Sequence, residues 1–145
     1  MPTKNFEQTI RFYEYRTTGG NPIWLPLVQA TLITSDHRRI ALSLMFDTGA
    51  SVTTLRADLY YLLGLTSWNQ GSPVQTATAN AIATAYRYEN ITFEVFGKTI
   101  TGPIHLIELP ANPLYSGLLG RETLFNEFGF GFWESTHELL VTCNP

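Results

Sequence analysis

Glycine and proline divide the chain into short segments, and this spacing limits the fold more than any other feature of the sequence. Eleven Gly and eight Pro are spread over 145 residues, and the stretches between them are rich in Val, Ile, Leu, Thr, Phe and Tyr. β-branched and aromatic residues favour strands, whereas Gly and Pro favour the turns that join them. The sequence therefore predicts an all-β fold built from short strands.

The length and composition indicate one domain, which we place at 1–145. The chain is long enough to bury a core but too short for two domains of ordinary size. Hydrophobic residues make up 44% of it and charged residues 14%, which differs strongly from the composition of disordered proteins. The formal net charge is -3 and the basic residues are scattered, so we expect no nucleic-acid partner.

The cysteine content and the hydropathy indicate a cytoplasmic protein. Cys143 is the single cysteine, so no internal disulfide can form, and this fits a reducing compartment. The N-terminal segment has no apolar core of the kind found in signal peptides, and the longest aliphatic run, residues 40–46, is far shorter than a bilayer span. We therefore expect a soluble protein without a membrane partner.

The alternation of apolar and polar residues predicts an order of hairpins. Residues 26–34 and 39–46 are separated by a polar turn and read as one hairpin. Residues 55–65 suggest a short helix or turn that ends at Gly64. A light hairpin over 74–85, two strands over 86–96 and 99–109, a helix over 121–128 and two closing strands over 130–133 and 138–142 complete the prediction.

A carboxylate stands directly behind an apolar strand in the segment LMFDTGAS, residues 44–51. Burying an ionised carboxylate costs free energy unless hydrogen bonds compensate it, and Thr48 and Gly49 offer donors close to Asp47. This arrangement is typical of a shielded functional carboxylate. Asp, Thr and Gly are also common turn residues, so an ordinary turn is the alternative interpretation of this tripeptide.

A second motif, about seventy positions later, indicates which kind of site the segment 44–51 forms. FDTGAS, followed by LLGRETL at residues 118–124, resembles the retropepsin-type aspartic proteases, which have an Asp-Thr/Ser-Gly-Ala turn, a mid-chain flap hairpin and an apolar-apolar-Gly-Arg motif, in that order. The resemblance covers approximately residues 26–132, which leaves an N-terminal extension (1–22) and a C-terminal strand (133–145). It implies a closed β-barrel-type acid protease fold with one short C-terminal helix that functions as a homodimer.

The resemblance also implies the roles of the turn residues. Asp47 would supply half of the active site, and two Asp47 carboxylates, one from each subunit, would activate a water that attacks a peptide bond. No metal and no other cofactor are implied. Thr48 would bond its counterpart across the dimer, Gly49 would let the substrate approach, and Ala50, where pepsin-like enzymes commonly carry Ser, suggests a less acidic pH optimum than that of pepsin.

Further substrate contacts are implied at the flap and at the floor of the cleft. The flap is assigned to 74–86, with its tip at Thr78, Ala79, Asn80 and Ala81, where many cellular members have Gly at the last of these positions. The floor would include Gly49, Ala50 and Leu118. An ordinary surface hairpin is the alternative interpretation of the flap segment.

Two features of this chain depart from the viral pattern. The structural motif Gly120-Arg121 is present, but the acidic residue that pairs with this Arg in viral relatives is replaced by Ser51. We therefore expect Arg121 to bind Glu7, Glu14 or the carbonyls of a neighbouring strand. The N-terminal extension is also long, and residues 9–15 alternate like a strand that could pair with 138–142 near the dimer interface.

The remaining candidates give weaker signals. His37, His105 and His137 have no partners at metal-ligand spacing, so we expect them to be structural or solvent-facing. The aromatic cluster Phe125, Phe128, Phe130, Phe132 and Trp133 suggests core or dimer interface. The leading interpretation is a homodimeric aspartic endopeptidase that acts on polypeptides, and the alternative is a catalytically silent peptide-binding or scaffold protein with the same fold.

Overall fold

The computed structural model describes residues 5–77 and 81–144, and in this part of the chain nearly all regular structure is β-strand. The strands are β1 Gln8–Arg11, β2 Tyr13–Tyr15, β3 Ile23–Leu25, β4 Leu27–Ile33, β5 Arg39–Phe46, β6 Thr53–Arg56, β7 Ser72–Ala77, β8 Ile82–Val95, β9 Lys98–Ile107, β10 Gly117–Leu119, β11 Phe128–Trp133 and β12 Glu138–Cys143. A 3-10 helix spans Ala57–Leu63, and one α-helical turn, α1, spans Leu124–Glu127. The expectation of a mostly β protein with few helices is confirmed.

The main sheet has seven strands in the order β4-β5-β10-β6-β9-β8-β7, and β4 pairs in addition with β8. The predicted first hairpin is β4 and β5, which pair antiparallel from Leu27 opposite Met45 to Ile33 opposite Arg39. Alternate residues of both strands are buried, among them Val28 and Leu32 of β4 and Leu44 and Phe46 of β5. The period-2 pattern of the sequence therefore identifies the face that packs in the core.

The short strand β10 brings the two sequence motifs together. It lies between β5 and β6, parallel to the first and antiparallel to the second. Leu119 is opposite Phe46 and Leu118 is opposite Met45. The residues that follow β5 and β10, Asp47 and Gly120, therefore leave the sheet side by side, although they are far apart in the sequence.

The mid-chain hairpin is formed by β7 and β8, which pair from Ser72 opposite Arg87 to Ala77 opposite Ile82. The predicted boundary between a hairpin over 74–85 and a strand over 86–96 is wrong, because β8 is one strand of 14 residues. Its break lies later, between Tyr88 and Ile91, where the register with β9 shifts and Asn90 has a φ of 60°. The predicted hairpin over 74–85 is thus the outer end of a longer one.

The predicted helix over 121–128 is wrong at both of its ends. The backbone N–H groups of Arg121 and Glu122 bond to the carbonyls of Ala50 and Ser51, and Thr123 has a φ of 73°, so helical geometry begins only at Leu124. Phe128 already belongs to β11, where it is opposite Cys143. In contrast, the expectation of a short helix ending at Gly64 is confirmed by the 3-10 helix, after which Gly64 has a φ of 74°. The predicted segment began too early, because Leu55 and Arg56 belong to β6.

The chain termini form a second sheet in the order β1-β12-β11. The predicted pairing of the N-terminal strand with the C-terminal strand is confirmed, since Gln8–Arg11 pair with Glu138–Val141. The strand predicted over 9–15 is interrupted at Phe12, a buried core residue, and resumes as β2, which pairs with β3. No helix in the described part of the chain is long and apolar enough to cross a membrane.

Candidate active site

Asp47 lies at the end of β5 in a tight turn that backbone hydrogen bonds define. Its N–H donates to the Leu119 carbonyl at 3.1 Å, and the Ala50 N–H donates to the Asp47 carbonyl at 3.2 Å. The Gly49 N–H donates to the Asp47 Oδ1 at 2.9 Å. Because a bound donor stabilises the charged carboxylate and fixes its rotamer, this turn holds Asp47 in a defined orientation.

Aromatic packing supports the strand directly behind this carboxylate. The buried ring of Phe46 lies 4.7 Å from that of Phe130 and 5.3 Å from that of Phe132, measured between centroids. The predicted aromatic cluster is therefore divided: Phe128 is buried in the core, whereas Phe132 and Trp133 are 40% and 47% exposed. The strand that leads into the turn is therefore supported by packed aromatic rings, while Phe132 and Trp133 are partly exposed to solvent.

The second motif is bonded to the first through its backbone. The Arg121 N–H donates to the Ala50 carbonyl at 2.9 Å, and the Glu122 N–H donates to the Ser51 carbonyl at 2.7 Å. The Gly120 N–H donates to the Thr53 hydroxyl at 3.1 Å. A Cβ at Gly120 would lie 2.4 Å from the carbonyl carbon of Val52, so only glycine allows this approach.

A cavity of about 510 Å³ opens beside Asp47. The predicted floor residues Gly49, Ala50 and Leu118 all line it, and Thr76 and Ala77 of β7 line it from the mid-chain hairpin. Of the described residues that line the cavity, Asp47 is the only one with a carboxylate. One subunit therefore offers one acidic group in a cavity whose lining combines apolar residues with hydroxyl side chains and one histidine.

The predicted site residues differ in how far the structure describes them. Asp47, Gly49, Ala50 and Leu118 lie together around the cavity, and Thr48 is exposed at the tip of the turn. Of the predicted flap tip, Thr78, Ala79 and Asn80 lie outside the described residues. Ala81 is described and lies directly before the returning strand β8.

The histidines are not equivalent, which the sequence analysis missed. His37 is an exposed turn residue, and His137 stacks on Trp24 with 4.1 Å between ring centroids. His105 is buried on β9 and lines the cavity with Asp47. Burial lowers its pKa, as does the neighbouring Arg87, while Glu122 and Glu89 act in the opposite direction. Among the described residues, no group of His, Cys, Asp or Glu is arranged to hold a metal ion.

A cationic residue that the sequence analysis did not single out connects β8 to the second motif. Arg87 is half-buried and forms ion pairs with Glu89 at 2.6 Å and Glu122 at 3.1 Å. These carboxylates raise the pKa of Arg87. Because Arg87 and Glu122 are 35 positions apart in the sequence, no local pattern could have revealed this ion pair.

Within the described part of the subunit, the side chain of Arg121 forms none of its expected contacts, neither with Glu7 or Glu14 nor with the carbonyls of a neighbouring strand. Glu14 is paired with Arg16, and the Glu7 carboxylate accepts a hydrogen bond from Thr142 at 3.1 Å. Within residues 5–77 and 81–144, the exposed side chain of Arg121 forms no ion pair. Its contribution to the site is made by its backbone N–H, which bonds Ala50.

Comparisons with known proteins agree with this geometry. The family model described as aspartyl protease matches residues 31–123, which include both motifs and the hairpin between them. A search of curated proteins finds no match for the chain.

Proposed function

Because the chain belongs to the aspartyl protease family, of retropepsin-like type, we propose that it is a homodimeric aspartic endopeptidase that hydrolyses peptide bonds in polypeptides. The observation that carries this proposal is the single carboxylate of the cavity, Asp47, held by the Gly49 N–H at the end of β5. The mechanism needs two carboxylates, and a second copy of the chain would supply the other one. The exposure of Thr48 beside Asp47 supports a contact between the two turns across the dimer axis.

In the dimer the two Asp47 carboxylates would share one proton. Two carboxylates in close contact cannot both ionise readily, so they titrate as a coupled pair. The ionised member would take a proton from a water as that water attacks the scissile carbonyl carbon. The protonated member would donate a hydrogen bond to the developing oxyanion, and a proton would then pass to the leaving nitrogen. We expect this chemistry to need no metal and no other cofactor.

The substrate would lie in extended form between the cavity floor and the β7–β8 hairpin. A peptide bound in this way forms backbone hydrogen bonds like an added strand, while pockets select alternate side chains. Thr76 and Ala77 line the cavity, and this supports the role of the hairpin as a flap over the site. We keep Thr78, Ala79, Asn80 and Ala81 as the proposed flap contacts.

Three further expectations belong to this proposal. The pairing of β4 with both β5 and β8 supports a closed β-barrel-type sheet. The division of the domain into an extension, a core and a C-terminal strand is retained as proposed. A cytoplasmic location is also proposed, and the free thiol of Cys143 supports it.

Cleavage of a diverse peptide mixture between about pH 4 and 7 tests the function, since this range spans plausible titrations of the carboxylate pair. The wild type, Asp47→Asn and the control Asp58→Asn, which makes the same change at an exposed carboxylate, would be compared by mass spectrometry. We expect the cuts to vanish in Asp47→Asn alone. A folded, dimeric wild type that leaves every peptide intact would instead favour the silent peptide-binding protein.

A further inference from the structure

His105 shares a wall of the cavity with the residues that surround Asp47. On β9 it is opposite Thr54 of β6 and Arg87 of β8. Side chains at opposed positions of neighbouring strands project from the same face of a sheet, and both Thr54 and His105 line the cavity. His105 is 9% exposed, so its imidazole belongs to the wall of the site and not to the outer surface.

The imidazole has an unused hydrogen-bonding group. Among the described residues, His105 Nε2 is a buried side-chain nitrogen with no hydrogen-bond partner. A buried polar atom without a partner costs free energy, and native proteins rarely retain one unless a bound molecule or a function accounts for it. The nearest polar wall residue in register, Thr54, donates its hydroxyl proton to the Val52 carbonyl at 3.0 Å, so it is already bonded.

The protonation state of His105 limits which group could satisfy this nitrogen. Burial and the Arg87 charge lower its pKa, although Glu122 and Glu89 act in the opposite direction, and the net effect favours the neutral ring. A neutral imidazole has one N–H donor and one nitrogen acceptor. A side-chain amide can both donate and accept, so it can pair with either tautomer, whereas a carboxylate can only accept and an aliphatic side chain can do neither.

The remaining wall favours a side chain with an apolar stem. Ala50, Val52, Ala85 and Leu118 line the same cavity and offer no polar side-chain atom, whereas the hydroxyl residues Ser51, Thr54 and Thr76 line other parts of it. A pocket that combines apolar wall residues with a few well-placed polar groups binds through the former and orients its ligand through the latter. The stem of Asn or Gln would pack on these apolar groups, and its amide would supply the hydrogen-bond partner that His105 Nε2 lacks.

We propose that His105 is a specificity-determining residue, which selects polypeptides that present an Asn or Gln side chain to the cavity beside Asp47. This inference rests on the proposed protease function. Because a two-fold dimer contains His105 twice, the preference is expected at two positions of the substrate, at equal distances on either side of the cut bond.

The cleavage preference of the wild type, His105→Leu and His105→Gln tests the proposal. For one cleaved sequence, the flanking positions would be varied as Asn, Gln, Leu and Asp, and kcat/KM would be measured for each peptide. We expect the wild-type kcat/KM for the amide peptides to exceed that for the Leu peptide by about ten-fold or more. The reason is that the Leu peptide leaves the buried imidazole nitrogen without a hydrogen-bond partner, which lowers its kcat/KM. His105→Leu reverses this order, whereas His105→Gln, which keeps a donor and an acceptor, retains it.

The control variant is His37→Asn, which changes an exposed turn histidine and keeps the wild-type preference. Thermal unfolding of each variant shows whether it is folded. If His105→Leu does not fold, His105→Phe, which also removes the donor and the acceptor but keeps a ring, takes its place. Equal preferences in the wild type and the two His105 variants would overturn the role of His105. The observed cleavage would still support the proposed protease function.

Binding provides a separate measurement. Calorimetric titration of Asp47→Asn with the same amide and Leu peptides gives the preference without turnover. If the wild type cuts no peptide, the proposed function is wrong. Selection by His105 is still supported if Asp47→Asn binds the amide peptide more tightly than the Leu peptide and the double variant Asp47→Asn, His105→Leu does not. Equal binding of the two peptides, or no binding of either, overturns it.

Discussion

At the scale of single residues, Gly120 controls how closely the two motifs of the site approach each other. A Cβ there would lie 2.4 Å from the Val52 carbonyl carbon and 2.7 Å from the Thr53 nitrogen, which are backbone atoms that cannot turn away. We expect Gly120→Ala to lower the free energy of unfolding by about 2 kcal/mol or more, because overpacking forces the backbone to shift. Urea unfolding monitored by fluorescence measures this change.

Gly129→Ala is the matched control for this variant. Its added Cβ would lie 3.2 Å from a side-chain methyl of Thr142 in a strand. That methyl can move, and the gain in strand preference offsets part of the contact, so we expect a change below about 1 kcal/mol. Equal effects of the two substitutions would show that the close approach at Gly120 is not what limits the fold.

The buried His105 makes the stability of the fold depend on pH. Its pKa is lower in the folded protein than the ordinary 6.5, chiefly because of burial. As the pH falls below about 6.5, the unfolded chain therefore binds a proton that the folded chain resists, and stability declines. We expect the free energy of unfolding of the wild type, relative to His105→Leu, to fall between pH 7.5 and 5.

Urea unfolding of both proteins at several pH values measures this difference. Taking the difference in the free energy of unfolding between the wild type and His105→Leu cancels the contribution of the carboxylates, which titrate in both proteins. Parallel curves over the whole range would contradict the expectation, since they would mean that His105 titrates alike in the folded and unfolded states.

These residues also show how far a sequence specifies a site. Asp47 and Gly120 could be predicted because each stands in a motif of adjacent residues. The position of His105 could not, because it follows from its registers with Thr54 and Arg87, which lie on two other strands. The contacts expected for Arg121 are not formed within the subunit for the same reason, since only the fold places Glu7 beside Thr142.

At the scale of elements, strands could be predicted more securely than the helix. The alternation of residues 27–33 and 39–46 is maintained by burial on one face, so the predicted hairpin is found with closely similar bounds. The apolar spacing of residues 124, 125 and 128 suggested a longer helix. However, the bonds from Arg121 and Glu122 to the Ala50 and Ser51 carbonyls fix the course of the chain at the Asp47 turn, and Thr123 has a φ of 73°, which lies outside helical geometry. These tertiary contacts leave no local signal in the sequence.

The pairing of β1 with β12 makes the N-terminal segment part of the folded subunit. Deleting residues 1–16 removes β1 and the buried ring of Phe12. We expect this truncation to lower the free energy of unfolding by about 3 to 5 kcal/mol, the range for loss of a buried aromatic side chain, and to weaken dimerisation. Deleting only residues 1–5, which leaves β1 complete, is the control.

Thermal unfolding and sedimentation velocity separate these two consequences of the truncation. A variant that remains as stable as the wild type would contradict the structural role of β1. A variant that is destabilised but fully dimeric would support the structural role of β1. It would also show that the N-terminal segment does not contribute to the proposed dimer interface.

At the scale of the whole molecule, the one carboxylate of each cavity links activity to assembly. If two subunits complete one site, then cleavage must depend on protein concentration, with a second-order fall in rate on dilution below the dissociation constant of the dimer. A monomeric enzyme would show a rate proportional to its concentration. This dependence distinguishes the proposed homodimer from a single-chain site without any structural measurement.

Thr48 offers the most direct control of that assembly. It is exposed in the subunit although it is adjacent to Asp47, so its hydroxyl is available for the proposed bond to its counterpart. We expect Thr48→Ala to raise the dimer dissociation constant by about ten-fold or more, since two hydrogen bonds worth about 1 kcal/mol each would be lost across a two-fold axis. Thr48→Ser keeps the hydroxyl and is expected to retain the dimer.

Sedimentation velocity over a dilution series, with cleavage rates measured on the same samples, tests this expectation. Because Thr48 makes no contribution to the buried core of the subunit, thermal unfolding of the monomer should change little. If Thr48→Ala dimerises like the wild type, the two turns do not meet as proposed. If it loses activity and dimer together, and both return at high protein concentration, then the site is assembled from two copies of the Asp47 turn.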